Sequence, residues 1–164
     1  MRVHTVLGTG RFAPVVLLLA TIAGAAPVRA QSSRAADVSL DTVRFAAALE
    51  VDLSASERVA NGLYYRDVIV GVGSPARRGA QITVRYAGAL ADGRVFTEPQ
   101  EPPATFKLGS RTVIEGWDRG LQGMRVGGTR QLIIAPALGY GATKTGAIPP
   151  NSVLVFEVEL LGVR

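Results

Sequence analysis

Apolar and polar positions alternate along most of the second half of the chain. In A-Q-I-T-V-R-Y-A-G-A-L, Ile82, Val84 and Tyr86 fall on one face and Thr83 and Arg85 on the other, the period-two pattern of a half-buried strand. The run S-V-L-V-F-E-V-E-L-L repeats it most clearly, setting Leu154, Phe156, Val158 and Leu160 against Glu157 and Glu159. L-Y-Y-R-D-V-I-V, from Leu63 to Val70, is rich in β-branched and aromatic residues and ends at the turn G-V-G-S-P. V-F-T, beginning at Val95, returns from the hairpin signal Asp92-Gly93. T-F-K-L-G and T-R-Q-L-I-I-A, the latter closed by Pro136, predict two further strands. One helix is predicted, Ile114 to about Met124, with Trp117 and Leu121 at i and i+4 on a shared face. Five or six strands joined by hairpins and loops, with a single short helix, predict an α+β fold: an antiparallel sheet with the helix packed on one side.

The first 61 residues do not share this pattern. Residues 1–30 have the form of a cleavable export signal: Arg2 and Arg11 give a basic start, an apolar run follows, and V-R-A ending at Ala30 matches a small-x-Ala cleavage site. Only 17 uncharged residues separate Arg11 from Arg29, interrupted by Pro14 and Pro27. That falls short of the roughly 20 apolar residues of a membrane span, so an uncleaved anchor is the second reading. Residues 31–61 are polar and Ala-rich, and predict an extended arm that lays one strand on the body. The domain proper is expected over residues 62–164.

Composition narrows the chemistry. The 164 residues carry 18 Lys plus Arg and 13 Asp plus Glu; without residues 1–30 the balance is 15 against 13, a net charge of +2, weak grounds for a nucleic-acid partner. There is no cysteine, and the one histidine, His4, lies in the leader. A mature chain of this kind has no Ser-His-Asp triad and no Cys-His pair, and the usual zinc ligands are missing. Carboxylate or lysine chemistry, oxygen-ligated metals, pure binding, or a reaction needing no titrating group remain.

The motifs that could carry cofactor or acid-base chemistry are poorly supported. G-V-G-S-P-A at Gly71 to Ala76 matches a relaxed dinucleotide-binding fingerprint, with Asp92 about 20 residues on, but the strand I-T-V-R-Y follows it rather than a helix. It is read as a turn. Glu115 and Asp118, at i and i+3, are expected on a solvated helix face, since neither has a partner in sequence reach that would separate their pKa values. Arg77-Arg78 is expected in a solvated turn and Met124 at the edge of the core.

The aromatic residues are the remaining asset. Tyr86, Phe96, Phe106, Trp117, Tyr140 and Phe156 occur one per predicted element. Each alone is most simply a core residue. As a set they are less easily explained, because buried tyrosine hydroxyls need partners and Tyr140 stands in the glycine-flanked loop L-G-Y-G-A-T-K-T-G-A-I-P-P-N, which should be ordered but exposed.

V-R-Y-A-G, D-G-R-V-F, F-K-L-G, V-I-E-G-W-D-R-G-L-Q-G-M-R-V-G-G, L-G-Y-G-A, I-P-P-N and L-V-F-E-V-E-L-L occur in the order and near the spacing of the FKBP-type peptidyl-prolyl cis/trans isomerases, the immunophilins that bind tacrolimus. The resemblance covers about Gly62 to Arg164. It implies a five- or six-stranded antiparallel sheet curled around one short helix, with a prolyl pocket between them. Trp117 then resembles the pocket floor, and Tyr86, Phe96, Val113, Ile114 and Phe156 its walls. The Ile114 N–H and the Tyr140 hydroxyl resemble the groups that hold substrate carbonyls, and Ile148 the residue closing one side. Phe106 and Thr97 border the same pocket.

The sequence departs from the family pattern at two places. Thr97 stands where an Asp usually follows the Phe, which removes a carboxylate that helps hold the Tyr86 hydroxyl. Ala104 stands where an aromatic is frequent, which thins one wall. The resemblance and the leader together imply an exported, single-domain, monomeric isomerase of the bacterial periplasm. It would act on proline-containing unfolded polypeptides, with tacrolimus-like macrolides as possible ligands and no cofactor, metal or nucleic acid. The alternative is a catalytically weak proline-peptide binding module or holdase.

Overall fold

The computed structural model describes residues 38–164; the leader expected over residues 1–30 and the first residues of the arm lie outside the described residues. Among the described residues seven strands form one antiparallel sheet: β1 (Glu57–Ala60), β2 (Leu63–Ile69), β3 (Gln81–Leu90), β4 (Val95–Thr97), β5 (Ala104–Lys107), β6 (Thr129–Ile134) and β7 (Leu154–Val163). Their order is β1-β2-β6-β7-β3-β4, with β5 also paired to β3. The count exceeds the expected five or six: every strand read between Leu63 and the C-terminus is present, and one more is added. The seventh, β1, comes from the arm and pairs with β2 as an edge. The long strand β3 takes β5 against its first half, Ile82 opposite Phe106, and β4 against its second, Gly88 opposite Thr97.

Among the described residues one α-helix, α1 (Glu115–Gly120), crosses one face of the sheet and is shorter than the expected 114–124. Its C-terminal continuation is drawn off by the sheet side: Gly123 N–H donates to Ala76 O at 2.8 Å, Ala76 N–H to Met124 O at 2.7 Å, and Gly123 takes φ +78°. Met124 is buried in the core rather than at its edge. Facing α1 are Ile82 and Val84 of β3, Leu132 and Ile134 of β6, and Leu154, Phe156, Val158 and Leu160 of β7, the apolar halves of the alternating runs.

The helix lies unusually close to β6, and glycines make this possible. A Cβ on Gly116 would stand 2.6 Å from Ile134 Cγ2, and one on Gly120 2.6 Å from Leu132 Cδ2. Arg130, 3% exposed, ties the two together from below. Its Nη1 donates to Gly120 O at 2.8 Å and Gln122 O at 3.2 Å, and its Nε and Nη2 grip the Asp67 carboxylate at 2.6 and 2.9 Å. Its guanidinium also stacks 3.8 Å from the Tyr65 ring centroid.

The arm does more than add a strand. Leu40, Val43, Phe45, Val51 and Leu53 pack against Tyr64, Ile133, Ala135 and Val153, which point away from α1. The arm thus covers part of the outer face of the sheet with a second apolar cluster. Ala46 N–H donates to Ala91 O at 2.8 Å, beside the β3–β4 hairpin, and Gln131 Nε2 donates to Leu49 O at 2.7 Å.

Candidate functional site

Five aromatic rings meet between α1 and the sheet. The Trp117 indole, projected by α1, lies 4.7 Å from the Tyr86 ring at an interplanar angle of 89°, 5.2 Å from Phe156 and 5.7 Å from Phe106. Phe156 in turn stands 5.5 Å from Phe96 and 6.2 Å from Tyr86. Most of these contacts are edge-to-face, the arrangement that brings a ring's positive edge to a negative face. Two adjacent strands bring Tyr86 and Phe156 to the same face, β5 brings Phe106 and β4 brings Phe96.

Burial is graded across this group. Trp117 is 6% exposed and Phe156 is buried, whereas Tyr86, Phe96, Phe106, Val113 and Ile114 are half-buried and Tyr140 is 37% exposed. The result is a shallow apolar patch with the indole at its base. A cavity of about 370 Å³ opens beside this patch and shares Val113 as a wall, while two smaller ones, both lined by Ala87 and Glu157, open on the opposite face of the sheet. Ile148 is buried and held in the β6–β7 loop by reciprocal hydrogen bonds with Thr145, at 3.0 and 2.9 Å. That loop is otherwise exposed from Ala142 to Ala147 and still hydrogen-bonded, as the sequence predicts.

The patch carries unsatisfied polar groups. The Trp117 Nε1–H is buried without a hydrogen-bond partner. The Ile114 C=O accepts the N–H groups of Trp117 and Asp118 at 3.0 and 3.2 Å, but its own N–H, one residue before the helix, donates to no described group. The hydroxyls of Tyr86 and Tyr140 are also without a hydrogen bond among the described residues. Burial, and secondarily the neighbouring Tyr86, raise the Tyr140 pKa above the usual tyrosine value, so its hydroxyl stays a donor. Thr97 turns to its own loop: its Oγ1 contacts Glu98 O and Gln100 Nε2, both at 3.4 Å.

Two contributors were not anticipated. Gly88 sits directly beneath the rings: a Cβ there would stand 2.7 Å from Phe96 and 2.8 Å from Phe156. Only the presence of the two phenylalanines on neighbouring strands could have pointed to it. Asp118, expected on a solvated face, is instead 7% exposed and accepts the N–H groups of Gly109 and Arg111 at 2.8 and 2.9 Å. The reason is that the β5–α1 loop folds back over that side of the helix. Its neighbour Glu115 is exposed, as expected, and pairs with Arg119 at 2.8 Å.

An antiparallel sheet packs on one short helix, with an aromatic patch and free backbone and hydroxyl donors between them. The family model described as FKBP-type peptidyl-prolyl cis-trans isomerase matches residues 73–161, and the chain belongs to that family. It is similar to FK506-binding protein 4 of Dictyostelium discoideum, 44% identical over 104 residues that make up 62% of this chain and 28% of that protein. A peptidyl-prolyl cis-trans isomerase of Saccharomyces cerevisiae is 41% identical over 66% of this chain and 27% of its own length. The chain thus spans roughly a quarter of the length of these curated relatives. Among solved structures, FkpA from Escherichia coli superposes with a TM-score of 0.60 and 38% identity, covering 67% of this chain and 52% of FkpA. A peptidyl-prolyl cis-trans isomerase from Pseudomonas syringae gives a TM-score of 0.61 and 34% identity, covering 71% of this chain and 86% of its own.

Proposed function

We propose that this chain is a peptidyl-prolyl cis/trans isomerase in which the Trp117 patch receives the proline ring. The observation that carries this reading is the convergence of four rings, from β3, β4, β5 and β7, on the indole of α1, beside the free Ile114 N–H and the Tyr86 and Tyr140 hydroxyls, in a chain that belongs to this family. Tyr86, Phe96, Phe106, Val113 and Phe156 grip the ring. The Ile114 N–H and Tyr140 hydroxyl hold flanking carbonyls, Ile148 limits the patch on the loop side, and Thr97 borders Phe96.

The chemistry suits a site without a general base. About 18–20 kcal/mol of amide resonance opposes rotation, and no bond is made or broken. In the twisted state the C–N bond has lost its double-bond character and the carbonyl oxygen carries less charge. An apolar surface that removes water from that oxygen therefore disfavours the planar form more than the twisted one. Only such differential interaction raises the rate, while the flanking hydrogen bonds supply orientation. A millionfold acceleration requires roughly 8 kcal/mol of preference for the twisted state.

The basic, apolar leader ending at Ala30 supports export, with the bacterial periplasm as the proposed setting. Among the described residues no helix is long and apolar enough to cross a membrane. Unfolded, proline-containing polypeptides in that compartment are the proposed substrates, met by a monomer.

A prolyl-peptide isomerisation assay tests the enzyme reading. Acceleration that excess tacrolimus abolishes supports it; peptide binding with no rate above background replaces it with a binding module, the reading that Thr97 and Ala104 favour. Trp117, the single tryptophan, reports occupancy directly, and an emission spectrum unchanged at saturating ligand rules out its place beneath the proline.

A further inference from the structure

The cavity of about 370 Å³ that shares Val113 with the aromatic patch has walls unlike those of the patch. Arg78, Gly109, Arg111, Glu115, Asp118, Arg119 and Gln122 complete its lining. Its charges are not balanced locally. Arg119 and Glu115 pair at 2.8 Å, while Asp118 keeps its charge with both oxygens accepting the Gly109 and Arg111 N–H groups, so the lining sets three arginines against two acids. The net surplus is one positive charge, and the guanidinium groups of Arg78 and Arg111 make no ion pair or hydrogen bond among the described residues.

Both arginines are placed by specific backbone geometry. Gly79 N–H donates to Leu108 O at 2.8 Å and Leu108 N–H to Ala80 O at 2.9 Å, which sets the Arg77–Ala80 turn against the β5–α1 loop. The Arg78 stem then lies across Gly109, where a Cβ would stand 2.6 Å from Arg78 Cγ. Arg111 has φ +61°, a left-handed conformation that non-glycine residues adopt rarely. The Asp118 carboxylate, itself buried, holds it there by accepting the Arg111 N–H at 2.9 Å. A conformation that costs energy, fixed by a buried acid so that an arginine stands at a cleft beside a binding patch, is the kind of strain retained at functional sites.

We propose that this cleft is a subsite for an acidic side chain, Asp or Glu, of the polypeptide whose proline occupies the Trp117 patch. The proposal rests on the isomerase reading above and adds a preference to it. Guanidinium groups present planar, paired donors suited to a carboxylate, and Val113 joins the two sites so that one extended segment reaches both. Arg77-Arg78, which the sequence assigns to a solvated turn, becomes in part a recognition element.

The test uses the full chain and paired prolyl peptides identical except for Glu or Gln at one, two or three residues from the proline on either side. Isomerisation is followed by exchange NMR at low salt and at about 0.5 M salt, where the Debye length falls to a few ångströms. At one or more positions the Glu peptide is expected to exceed its Gln partner in kcat/KM by about fivefold, the scale of a partly exposed ion pair. The ratio should fall toward one at high salt and in the R78Q/R111G variant, whose glycine accepts the left-handed backbone. Ratios near one at every position, with both peptides accelerated, overturn the subsite and leave the isomerase reading intact. A preference that survives unchanged in R78Q/R111G also overturns it. If no peptide is accelerated, the isomerase reading fails, and the same pairs titrated against Trp117 fluorescence decide the subsite alone: tighter Glu binding supports it and equal Kd values overturn it.

Discussion

Arg130 grips Asp67 with two charge-assisted hydrogen bonds, 2.6 and 2.9 Å, beneath the helix that carries Trp117. The same guanidinium holds Gly120 O and Gln122 O, so one buried cation joins β2, β6 and the end of α1. Asp67→Ala would leave that cation 97% out of water without its counter-charge, from its 3% exposure. Breaking one side of a buried pair costs about 3–5 kcal/mol. Arg130→Met is expected to cost less, because Asp67 is 30% exposed and can be solvated again. Urea unfolding of the two variants measures the order, and equal losses would show that the pair is not what anchors the helix.

Gly88→Ala tests the close approach at the base of the patch. The strand conformation accepts alanine, but the new methyl would stand 2.7 Å from Phe96 and 2.8 Å from Phe156. Overpacking of this kind costs about 1–3 kcal/mol. Because the Phe96 ring must move, isomerase kcat/KM should fall by more than the loss of folded protein explains. Circular dichroism beside the prolyl-peptide assay separates the two effects.

These two relationships also mark how far the sequence could be read. Strands β2 to β7 follow from local alternation and turn signals, since a run such as Leu154 to Leu160 has one face to bury whatever lies opposite. The aromatic set was legible for the same reason, one ring per inward face. What escaped is fixed by distant partners. Gly88, Gly116 and Gly120 are required by rings and aliphatic side chains on other strands, and Asp118 is buried by a loop that folds back on its helix. The second apolar cluster escaped because Leu40, Val43, Phe45, Val51 and Leu53 sit on irregular turns, where neither the two-residue nor the 3.6-residue period applies.

The arm should accordingly behave as part of the fold. Leu40 is 2% exposed and packs against Tyr64, Ile133 and Val153 on the outer face of the sheet. Leu40→Ala is expected to cost about 2–4 kcal/mol, the range for leucine truncation in a core, measured as a lower thermal or urea midpoint. A change within 0.5 kcal/mol, the usual size for a surface position, would mean that the arm detaches freely in solution.

Alkaline pH should loosen the edge of the sheet. The Tyr65 hydroxyl donates to Glu57 Oε2 at 2.6 Å, and this bond, with burial second, raises its pKa above the ordinary value near 10. In the unfolded chain the proton leaves first, so above that pH the folded state holds more protons and stability declines as pH rises. The stabilisation is complete below about pH 10 and is lost as pH climbs through the raised folded value. Tyr140, raised by burial and by Tyr86, acts in the same direction. Urea midpoints from pH 8 to 11 should therefore fall, and Tyr65→Phe should start lower but decline less steeply. Parallel slopes would show that Tyr65 is not the titrating group.

Thr97 gives the sharpest test of what the departure from the family pattern does. Gly88 pairs with Thr97 across β3 and β4, and Gly88 is two residues along the same strand face from Tyr86. The Tyr86 hydroxyl makes no hydrogen bond among the described residues, and the Thr97 hydroxyl has only contacts of 3.4 Å within its own loop. In the family pattern that the chain resembles, a carboxylate at residue 97 helps hold this hydroxyl, and restoring it would fix the ring that stands 4.7 Å from the indole. Holding one wall in place reduces the freedom lost when the proline enters, and an ordered side chain of this kind is worth about 0.5–1.5 kcal/mol. Thr97→Asp should therefore raise kcat/KM by roughly two- to tenfold, with tacrolimus affinity rising in parallel. If Thr97→Asp leaves both unchanged while Thr97→Ala is also silent, the hydroxyl of Tyr86 is not a determinant of the patch.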